Sequence, residues 1–455
     1  MVRTSRALII GTITTFLVAI IAFIGGGTTS RAMGDAALGT FITALAHREG
    51  EASTPTEVRD RFAVFWDVWS LVNEEFYHPE PLDEQQMVYG AIRGMLQSLG
   101  DDYTSFQEPE VAEQNRESME GKFEGIGAYL QIVEGEVRIE RPIKNSPAMK
   151  AGLQDGDVIV RVDGTELAPL IAGLDDAEAA ALAAKQIRGP KGSVVRLTIR
   201  RPPEPSTFDV DITRDEVPLI SVNVQMLESN VGYIQITEFK ATTTEEFDEA
   251  LRELLPQQPD SLILDLRNNP GGYLTTAQEV LGRFYAGTAL YEEDSAGNLK
   301  ELRTIKGPRD TRVYEMPVVV LVNGGSASAA EIVAGALRER RPQTILLGET
   351  SFGKGSVQNI HHLRDGSSAR ITIAHWLTPD QHEIHQLGIA PDYVVPFAQD
   401  SEYAVACVGE QQPPEGQETC SDAQLSWALR FLTTQATPPP PEPTPTGRLE
   451  PVPVG

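Results

Sequence analysis

Two side chains that could together carry hydrolytic chemistry lie in the stretch from Asn323 to Gln358. Ser328 stands at the first turn of a predicted helix, where free backbone N–H groups and the positive end of the helix dipole favour a developing anion. A hydroxyl needs a base to become a nucleophile at neutral pH, and Lys354 can be that base only when it is deprotonated. Since the reference pKa of lysine is about 10.4, bringing it near 7 costs on the order of 4–5 kcal/mol. The pair predicts a serine–lysine hydrolase.

The neighbours of Lys354 are of the kind that could hold its amine neutral. We expect burial among Phe352, Val357 and the glycines of this loop to lower its pKa. If the chain extends again after Lys354, the alternation of a strand places the side chain of Gln358 on the same face. A neutral amide there could accept a hydrogen bond from the amine and orient it without restoring its charge.

A purely structural interpretation of the same residues stands beside this one. Ser328-Ala-Ala-Glu331 is a capping box, which by itself explains a serine at the start of a helix. Lys354 could equally be a solvated loop lysine. These residues alone leave both interpretations open, because a motif match is only a hypothesis.

The elements around these residues predict an α/β core. Val318–Val322 is a β-branched run that ends at Asn-Gly-Gly, which is typical of a buried strand that meets a tight turn. Strands are predicted at Val231–Ile236, Ser261–Arg267 and Thr344–Leu347, and helices at Thr243–Leu255 and Thr275–Phe284. This alternation indicates a mixed, partly parallel sheet with helices. Asn268-Asn-Pro-Gly-Gly272 follows one of the strands, where α/β sheets place ligand sites, although it is also a good turn.

Residues from about 122 to 215 predict a small β-rich module. Its predicted elements are strands at Gly127–Val133, Val137–Glu140, Val158–Val162 and Val194–Arg200, and a helix at Asp176–Ile187. The string from Ser146 to Gly164 resembles a PDZ domain. A PDZ groove takes an extended peptide as an added strand and holds its terminal carboxylate on backbone N–H groups. That resemblance makes Phe123, Gly125, Ile126 and Gly127 the candidate substrate-binding loop, whereas the alternative for its glycines is an ordinary turn.

Strings at five places resemble those of the carboxyl-terminal processing peptidases, also called tail-specific proteases. They are Leu99-Gly-Asp-Asp-Tyr-Thr-Ser105, Phe123-Glu-Gly-Ile-Gly127, Asp265-Leu-Arg-Asn-Asn-Pro-Gly-Gly272, Gly325-Ser-Ala-Ser-Ala-Ala-Glu-Ile332 and Phe352-Gly-Lys-Gly-Ser-Val-Gln358. The resemblance implies Ser328 as nucleophile, Lys354 as general base and Gln358 as its orienting partner. It also implies an endopeptidase that cuts proteins near their carboxyl termini and needs no cofactor or metal.

The same resemblance suggests which backbone groups form the oxyanion hole. The donors would be the N–H of Ala329 and that of Gly271 or Gly272, between which the sequence does not choose. One missing donor of this kind typically costs about 2.7–4 kcal/mol of transition-state stabilisation. The chain departs from the family at Ala330, where a third serine is usual. Since the central serine is the nucleophile, we expect this loss to be tolerated.

A Ser–His–Asp site is the nearest rival, because five of the seven histidines fall between His361 and His385. It would use Ser328, His375 and Asp265. A metal site is not expected. His382-Glu-Ile-His385 lacks the spacing of the helical metalloprotease motif, and the proline and glycine nearby argue against a helix. A PDZ scaffold without catalytic activity is the other open class.

Composition and the chain ends indicate compartment and partners. A net charge of −27 argues against nucleic acid as a partner. Arg3 and Arg6 precede an uncharged apolar run, Ala7 to Ile24, which predicts an uncleaved membrane anchor with the body of the protein outside the cytoplasm. There Cys407 and Cys420 could pair. The partners expected are protein substrates with accessible tails and the membrane, and a homo-oligomer is left open.

These observations predict the following order along the chain. Residues 1–30 are the anchor, 55–121 a helical region, 122–216 the PDZ domain, 217–400 the peptidase core, 401–433 a helical extension with the cysteine pair, and 434–455 a proline-rich tail. In the helical region, the apolar stripe that runs from Phe62 to Phe76 predicts a core-facing helix.

Overall fold

The computed structural model describes residues 56–77, 81–409, 411–414 and 416–440. The chain divides into two compact units, Met1–Glu84 and Gln85–Gly455. The predicted anchor at residues 1–30 and the tail beyond residue 440 lie outside the described residues. Within the part that is described, no helix is both long and apolar enough to cross a membrane.

Among the described residues of the first unit there is one long helix, α1 (Thr56–Glu75). The prediction of a helix here is correct, but the prediction that its aromatic stripe faces a core is wrong: Phe62, Trp66 and Phe76 are 45%, 58% and 59% exposed. The rings instead pack on each other along the helix, with Phe65 and Trp66 centroids 5.0 Å apart. Helical spacing indicates which face of a helix is apolar, and it does not show that this face is buried.

The second unit opens with helix α2 (Glu84–Gln97), which begins at the boundary, then strand β1 (Ser105–Gln107) and helix α3 (Pro109–Glu120). Gly121 ends α3 in the left-handed conformation, which glycine adopts without steric cost. The chain then enters the PDZ module.

The PDZ module is a six-stranded antiparallel sheet with one bordering helix. The sheet order is β3-β4-β5-β7-β8, with β6 paired to β5. The strands are β3 (Ala128–Val133), β4 (Glu136–Pro142), β5 (Val158–Val162), β6 (Thr165–Glu166), β7 (Val194–Arg200) and β8 (Thr207–Thr213). The helices are α4 (Pro147–Lys150), α5 (Ala168–Ile171) and α6 (Asp176–Ile187). A two-stranded pair, β2 (Lys122–Gly125) with β9 (Asp215–Pro218), joins the two ends of the module.

The peptidase core is built on a second six-stranded sheet, in the order β10-β11-β12-β15-β16-β19. Its strands are β10 (Val222–Met226), β11 (Val231–Ile236), β12 (Ser261–Asp265), β15 (Val318–Val322), β16 (Thr344–Gly348) and β19 (Tyr393–Val394). Strands β11, β12, β15, β16 and β19 run parallel and β10 is antiparallel, which confirms the predicted mixed sheet.

Helices cover both faces of this sheet, which is why its central strands are apolar throughout. Helices α7 (Thr243–Leu254), α8 (Leu274–Phe284) and α9 (Ala329–Arg340) share a core with one face, and α10 (Ala423–Thr434) shares a core with the other. The alternation of β15 divides its side chains accordingly: Val320 faces the first core, while Val319 and Leu321 face the second.

A third, antiparallel sheet lies beside the core, in the order β1-β18-β13-β14, with β17 paired to β18. Its strands are β13 (Thr288–Asp294), β14 (Leu299–Arg303), β17 (Ser356–His362) and β18 (Ser368–Leu377). The last two form a hairpin. A small pair, β20 (Ala404–Val405) with β21 (Cys420–Ser421), precedes α10, and Cys407 and Cys420 are joined by a disulfide.

Candidate active site

Ser328 lies in a strained turn between β15 and α9. The loop after β15 is tied to the loop after β12: Ser326 Oγ donates to the Leu266 carbonyl at 2.8 Å, and the Ala327 N–H donates to the Asn269 carbonyl at 2.9 Å. Ser328 follows with φ 53° and ψ −115°. Residues other than glycine rarely adopt positive φ, and such conformations concentrate at functional sites where surrounding contacts hold them. The two tied loops supply that restraint.

The carboxylate of Glu331 joins the serine turn to the lysine loop. Its Oε2 accepts the N–H of Ser328 at 2.8 Å and the N–H of Lys354 at 2.9 Å. Its Oε1 accepts the Ser351 hydroxyl and the N–H of Gly353, each at 2.6 Å. The predicted capping contact is therefore present, but the sequence did not indicate that the same fully buried side chain also holds the loop that carries Lys354.

A turn from the end of the core holds the lysine loop on its other side. The N–H of Ile389 donates to Ser351 Oγ at 2.7 Å, and the N–H of Gln386 donates to the Gly353 carbonyl at 2.8 Å. Trp376 Nε1 donates to the Lys354 carbonyl at 2.9 Å. The backbone of Lys354 is thus fixed from the strand β18, from the helix α9 and from this turn.

The environment of the Lys354 amine lowers its pKa. Burial is the main cause and the Arg370 guanidinium adds to it, whereas the carboxylates of Asp101 and Glu331 act in the opposite direction. The expected source of burial was partly wrong, since Phe352 is 55% exposed. The aromatic neighbour of the amine is instead Tyr103, whose ring centroid lies 5.3 Å from Lys354 Nζ.

Gln358 does not contact Lys354 in this arrangement. Its amide donates to Ser356 Oγ at 2.8 Å and to Thr372 Oγ1 at 3.3 Å. Strand β17 starts only at Ser356, and its register shifts between Val357 and Gln358. The simple alternation used to place Lys354 and Gln358 on one face therefore does not apply here.

The Gly271–Gly272 turn lies directly against the serine turn. A Cβ added to Gly271, whose φ is +102°, would lie 2.7 Å from Ser328 Cβ and 3.0 Å from the Ala329 nitrogen, so only glycine fits. The N–H of Gly271 donates to Asn269 Oδ1 at 2.8 Å. Within the described chain, no hydrogen bond uses the N–H of Gly272 or of Ala329. Both N–H groups therefore have no protein acceptor among the described residues.

The structure does not bring Asp265 and His375 together. Asp265 is fully buried, accepts the Tyr233 hydroxyl at 2.8 Å and forms an ion pair with Arg267 at 2.6 Å. His375 instead packs against His385, with ring centroids 4.6 Å apart. Asp265 therefore serves a buried ion-pair network that continues from Arg267 to Asp422. Among the described side chains, no group of three His, Cys, Asp or Glu residues is placed to hold a metal ion.

The PDZ groove is an apolar cavity of about 420 Å³. Phe123, Ile126 and Gly127 line it, as do Tyr129 of β3 and the small residues Ala180, Ala181 and Ala184 of α6. Gly125 does not line the cavity, and a Cβ on it would lie 3.1 Å from the Phe123 ring. The carbonyls of Ile126 and Gly127 accept the N–H groups of Ala148 and Ile143, whereas their own N–H groups enter no hydrogen bond among the described residues.

Arg188 is a groove residue that the sequence analysis did not single out. Arg188, at the end of α6, lines the cavity, lies over the Phe123 ring at 5.2 Å and forms an ion pair with Glu117 of α3 at 2.8 Å. Burial raises the pKa of the Glu117 carboxyl, although Arg188 opposes that shift. An arginine directly after the groove helix was the available signal, but its partner comes from an element outside the module.

The fold and the site together define a serine peptidase that carries a PDZ domain. Residues 230–395 match the model of peptidase family S41, residues 138–201 match that of the PDZ domain, and residues 32–111 match the N-terminal domain of the activating protease CtpB. The chain belongs to the carboxy-terminal processing proteases of peptidase family S41.

Named relatives are similar over most of their length. The chain is 38% identical over 356 residues to carboxy-terminal processing protease CtpA of Bacillus subtilis, which covers 78% of this chain and 73% of the relative. It is 36% identical over 335 residues to the carboxyl-terminal-processing protease of a Picosynechococcus strain, covering 72% and 77%. The solved photosystem II D1 C-terminal processing protease is 30% identical, with 72% of this chain and 86% of that one covered and a TM-score of 0.41.

Proposed function

We propose that this peptidase cleaves protein substrates with Ser328 as nucleophile and Lys354 as general base. The observation that supports it most is the shared carboxylate of Glu331, which binds the backbone of both residues through one oxygen atom. Because the amine is largely buried and its pKa is lowered, the neutral form that a base requires is more accessible than in water.

The proposed reaction has two stages. Lys354 Nζ takes the hydroxyl proton of Ser328 while Oγ bonds to the peptide carbonyl carbon, and the ammonium then gives that proton to the leaving amine as the C–N bond breaks. Water attacks the resulting ester, losing a proton to Lys354, and the proton passes to Ser328 Oγ as the acyl product leaves. The N–H groups of Gly272 and Ala329 would hold the tetrahedral anion, since that of Gly271 is already donated to Asn269.

Gln358 orients Lys354 in this proposal. Its amide NH₂ group donates to Ser356 and Thr372, so the side chain must turn to bring its oxygen to the Lys354 amine. The arrangement described above is then a resting one, and a peptide bound at the site would favour the exchange.

The PDZ groove would bind the substrate's carboxyl terminus. The unused N–H groups of Ile126 and Gly127 suit a terminal carboxylate, and the apolar cavity beside β3 suits the side chains of an added strand. Phe123 and Gly125 shape the loop that presents these donors.

We place the catalytic body outside the cytoplasm, tethered by the apolar run Ala7 to Ile24. The disulfide between Cys407 and Cys420 suits an oxidising compartment. Fractionation of cells expressing the full chain tests this. The protein should stay with membranes after an alkaline wash and be digested by protease added outside the cytoplasmic membrane, and recovery in the cytosol would contradict the assignment.

Cleavage of an unstructured peptide, followed by mass spectrometry, tests the catalytic assignment. Wild type should cut it, Ser328→Ala and Lys354→Ala should not, and His375→Ala should retain most activity. Loss in His375→Ala with retention in Lys354→Ala would refute the lysine base. Amidation of the peptide's carboxyl terminus should raise KM and leave kcat unchanged, and an unaltered KM would refute the role of the groove.

A further inference from the structure

The turn from Leu99 to Ser105 reaches the active site through a residue that the mechanism above does not use. The ring centroid of Tyr103 lies 5.3 Å from Lys354 Nζ. In the described part of the chain, no hydrogen bond or ion pair engages that nitrogen. The face of the Tyr103 ring is therefore a direct contact of the amine, whereas the charges of Arg370, Asp101 and Glu331 act on it without a hydrogen bond or ion pair.

Hydrogen bonds of the surrounding turn fix the position of Tyr103. Its N–H donates to Asp101 Oδ1 at 3.2 Å, and the Thr104 hydroxyl donates to Asp101 Oδ2 at 2.6 Å. The N–H of Thr372, on β18, donates in turn to Thr104 Oγ1 at 3.0 Å. Strand β1 then pairs with the same strand. The carboxyl-terminal end of the turn is therefore anchored to the hairpin that follows Lys354.

Two histidine rings continue the aromatic packing from Tyr103. His385 packs edge-on against Tyr103 with centroids 5.9 Å apart, and His375 packs against His385 at 4.6 Å. His385 is itself wedged against the lysine loop, since a Cβ on Gly355 would lie 2.8 Å from His385 Cβ. The ring, the histidines and the loop thus form one packed assembly on the border of a cavity of about 410 Å³.

We propose that Tyr103 is a positioning residue for Lys354. The face of the Tyr103 ring holds the lysine amine in place, and the bulk of the ring excludes water from it. The proposal rests on the function proposed above, in which Lys354 is the base. The ring acts in two opposite ways: its quadrupole favours the ammonium form, and its exclusion of water favours the neutral amine. The hydroxyl has no part in either effect.

These two effects predict opposite shifts in the pH dependence of kcat/KM, which rises with pH as Lys354 loses its proton. Tyr103→Leu keeps most of the bulk and removes the quadrupole, so the rise in kcat/KM should move to lower pH. In the same variant kcat should fall about tenfold, because the ring no longer holds the amine in place. Tyr103→Ala admits water, so the rise should move to higher pH. Tyr103→Phe keeps the ring and should match wild type within about threefold.

Other charged groups face the amine and stay unchanged in every variant. Arg370 comes from β18, Asp101 from the turn and Glu331 from α9, while His385 packs edge-on against Tyr103 and His375 packs against His385. Tyr403→Leu is the matched control, because it removes a tyrosine that lies 6.0 Å from the Arg430 guanidinium, in the core around α10. It should leave the profile in place. If Tyr103→Leu does not fold, Tyr103→Met replaces it with the same expectation.

The outcomes separate this inference from the proposed function. If Lys354→Ala retains activity, the base assignment fails and the inference fails with it. If Lys354→Ala is inactive but the Leu and Ala variants keep the wild-type profile or shift it in the same direction, only the role of Tyr103 is refuted. A Tyr103→Phe variant as impaired as Tyr103→Leu would show that the hydroxyl is the functional group and would equally overturn the proposal.

Discussion

The PDZ groove and the serine turn use hydrogen-bond donors in opposite ways. In the groove, the N–H groups of Ile126 and Gly127 enter no hydrogen bond within the described chain, and small alanine side chains leave an open apolar cavity. In the serine turn, the buried carboxylate of Glu331 has taken up four donors. The groove keeps donors free for a ligand, whereas around the serine turn four donors bind one carboxylate, which fixes the backbones of Ser328 and Lys354.

This difference assigns separate kinetic consequences to the two regions. A change in the groove should alter how strongly a tail binds and thus KM, because no reacting group depends on it. A change in the serine turn should alter kcat and the free energy of unfolding together, because the same buried contacts hold the chain and align the chemistry.

The largest effect is expected for Glu331→Gln, which keeps the size of the side chain but presents an NH₂ group to two of the four donors. Each stranded N–H costs about 1–3 kcal/mol of stability. Since Ser328 and Lys354 are both displaced, kcat should fall on the order of 1,000-fold, as a misplacement of about 1 Å alone can cost about 100-fold. Kinetics measures the loss of kcat, and urea unfolding measures the loss of stability.

Glu245→Gln, exposed in the first turn of α7, is the control and should change neither kcat nor stability. Near-normal kcat in Glu331→Gln would mean that the serine and lysine turns align without the carboxylate.

Gly271→Ala should come next, with kcat reduced about 100-fold. The new Cβ would lie 2.7 Å from Ser328 Cβ and 2.9 Å from the Ala327 carbonyl oxygen, so the serine turn must move. Gly297→Ala tests whether the positive φ alone is responsible, since Gly297 also has positive φ but has open space around its Cα. Equal losses of activity in the two variants would refute the steric explanation.

A filled groove should show the opposite kinetic pattern. Ala184→Phe places a ring in the cavity, so KM for a peptide with a free carboxyl terminus should rise about tenfold, equivalent to about 1.4 kcal/mol of binding, with kcat preserved. Gln186→Phe adds the same ring on the exposed side of α6 and should leave KM unchanged. A fall in kcat for Ala184→Phe, with KM constant, would show that the groove acts on the chemistry rather than on binding.

The smallest effect concerns stability. Burial lowers the pKa of Lys354, so the folded chain binds fewer protons than the unfolded chain between that lowered pKa and about 10.4. Lys354 therefore destabilises the fold most below this window, and stability is recovered as pH rises through it. Lys354→Met should be inactive and melt a few degrees higher at neutral pH. Its advantage should shrink towards pH 10, and a constant or growing advantage would contradict the buried-amine assignment.

The sequence predicted the parts of this molecule that depend on local pattern. The apolar run Val318–Val322 is the central strand, and the turn after it does carry Ser328 into a helix. What the sequence could not predict depends on contacts between distant segments. Glu331 looked like a helix cap, yet it also binds Gly353 and Lys354, more than twenty residues further along the chain.

Two side chains near Lys354 show the same limit. Phe352 lies two residues before Lys354 in sequence and is 55% exposed. Tyr103, some 250 residues earlier, supplies the aromatic contact. A register shift between Val357 and Gln358 breaks the alternation that would place this amide on the face of Lys354. Likewise, the stripe of α1 had the spacing of a core helix but lies exposed in the described chain.

The most direct test of the account is the pH dependence of kcat/KM for wild type beside His375→Ala and Lys354→Ala. We expect activity that rises with pH through a single ionisation below the lysine reference of about 10.4, unchanged in His375→Ala and absent with Lys354→Ala. A rise that disappears in His375→Ala while Lys354→Ala still cleaves would contradict the lysine base at the centre of this mechanism.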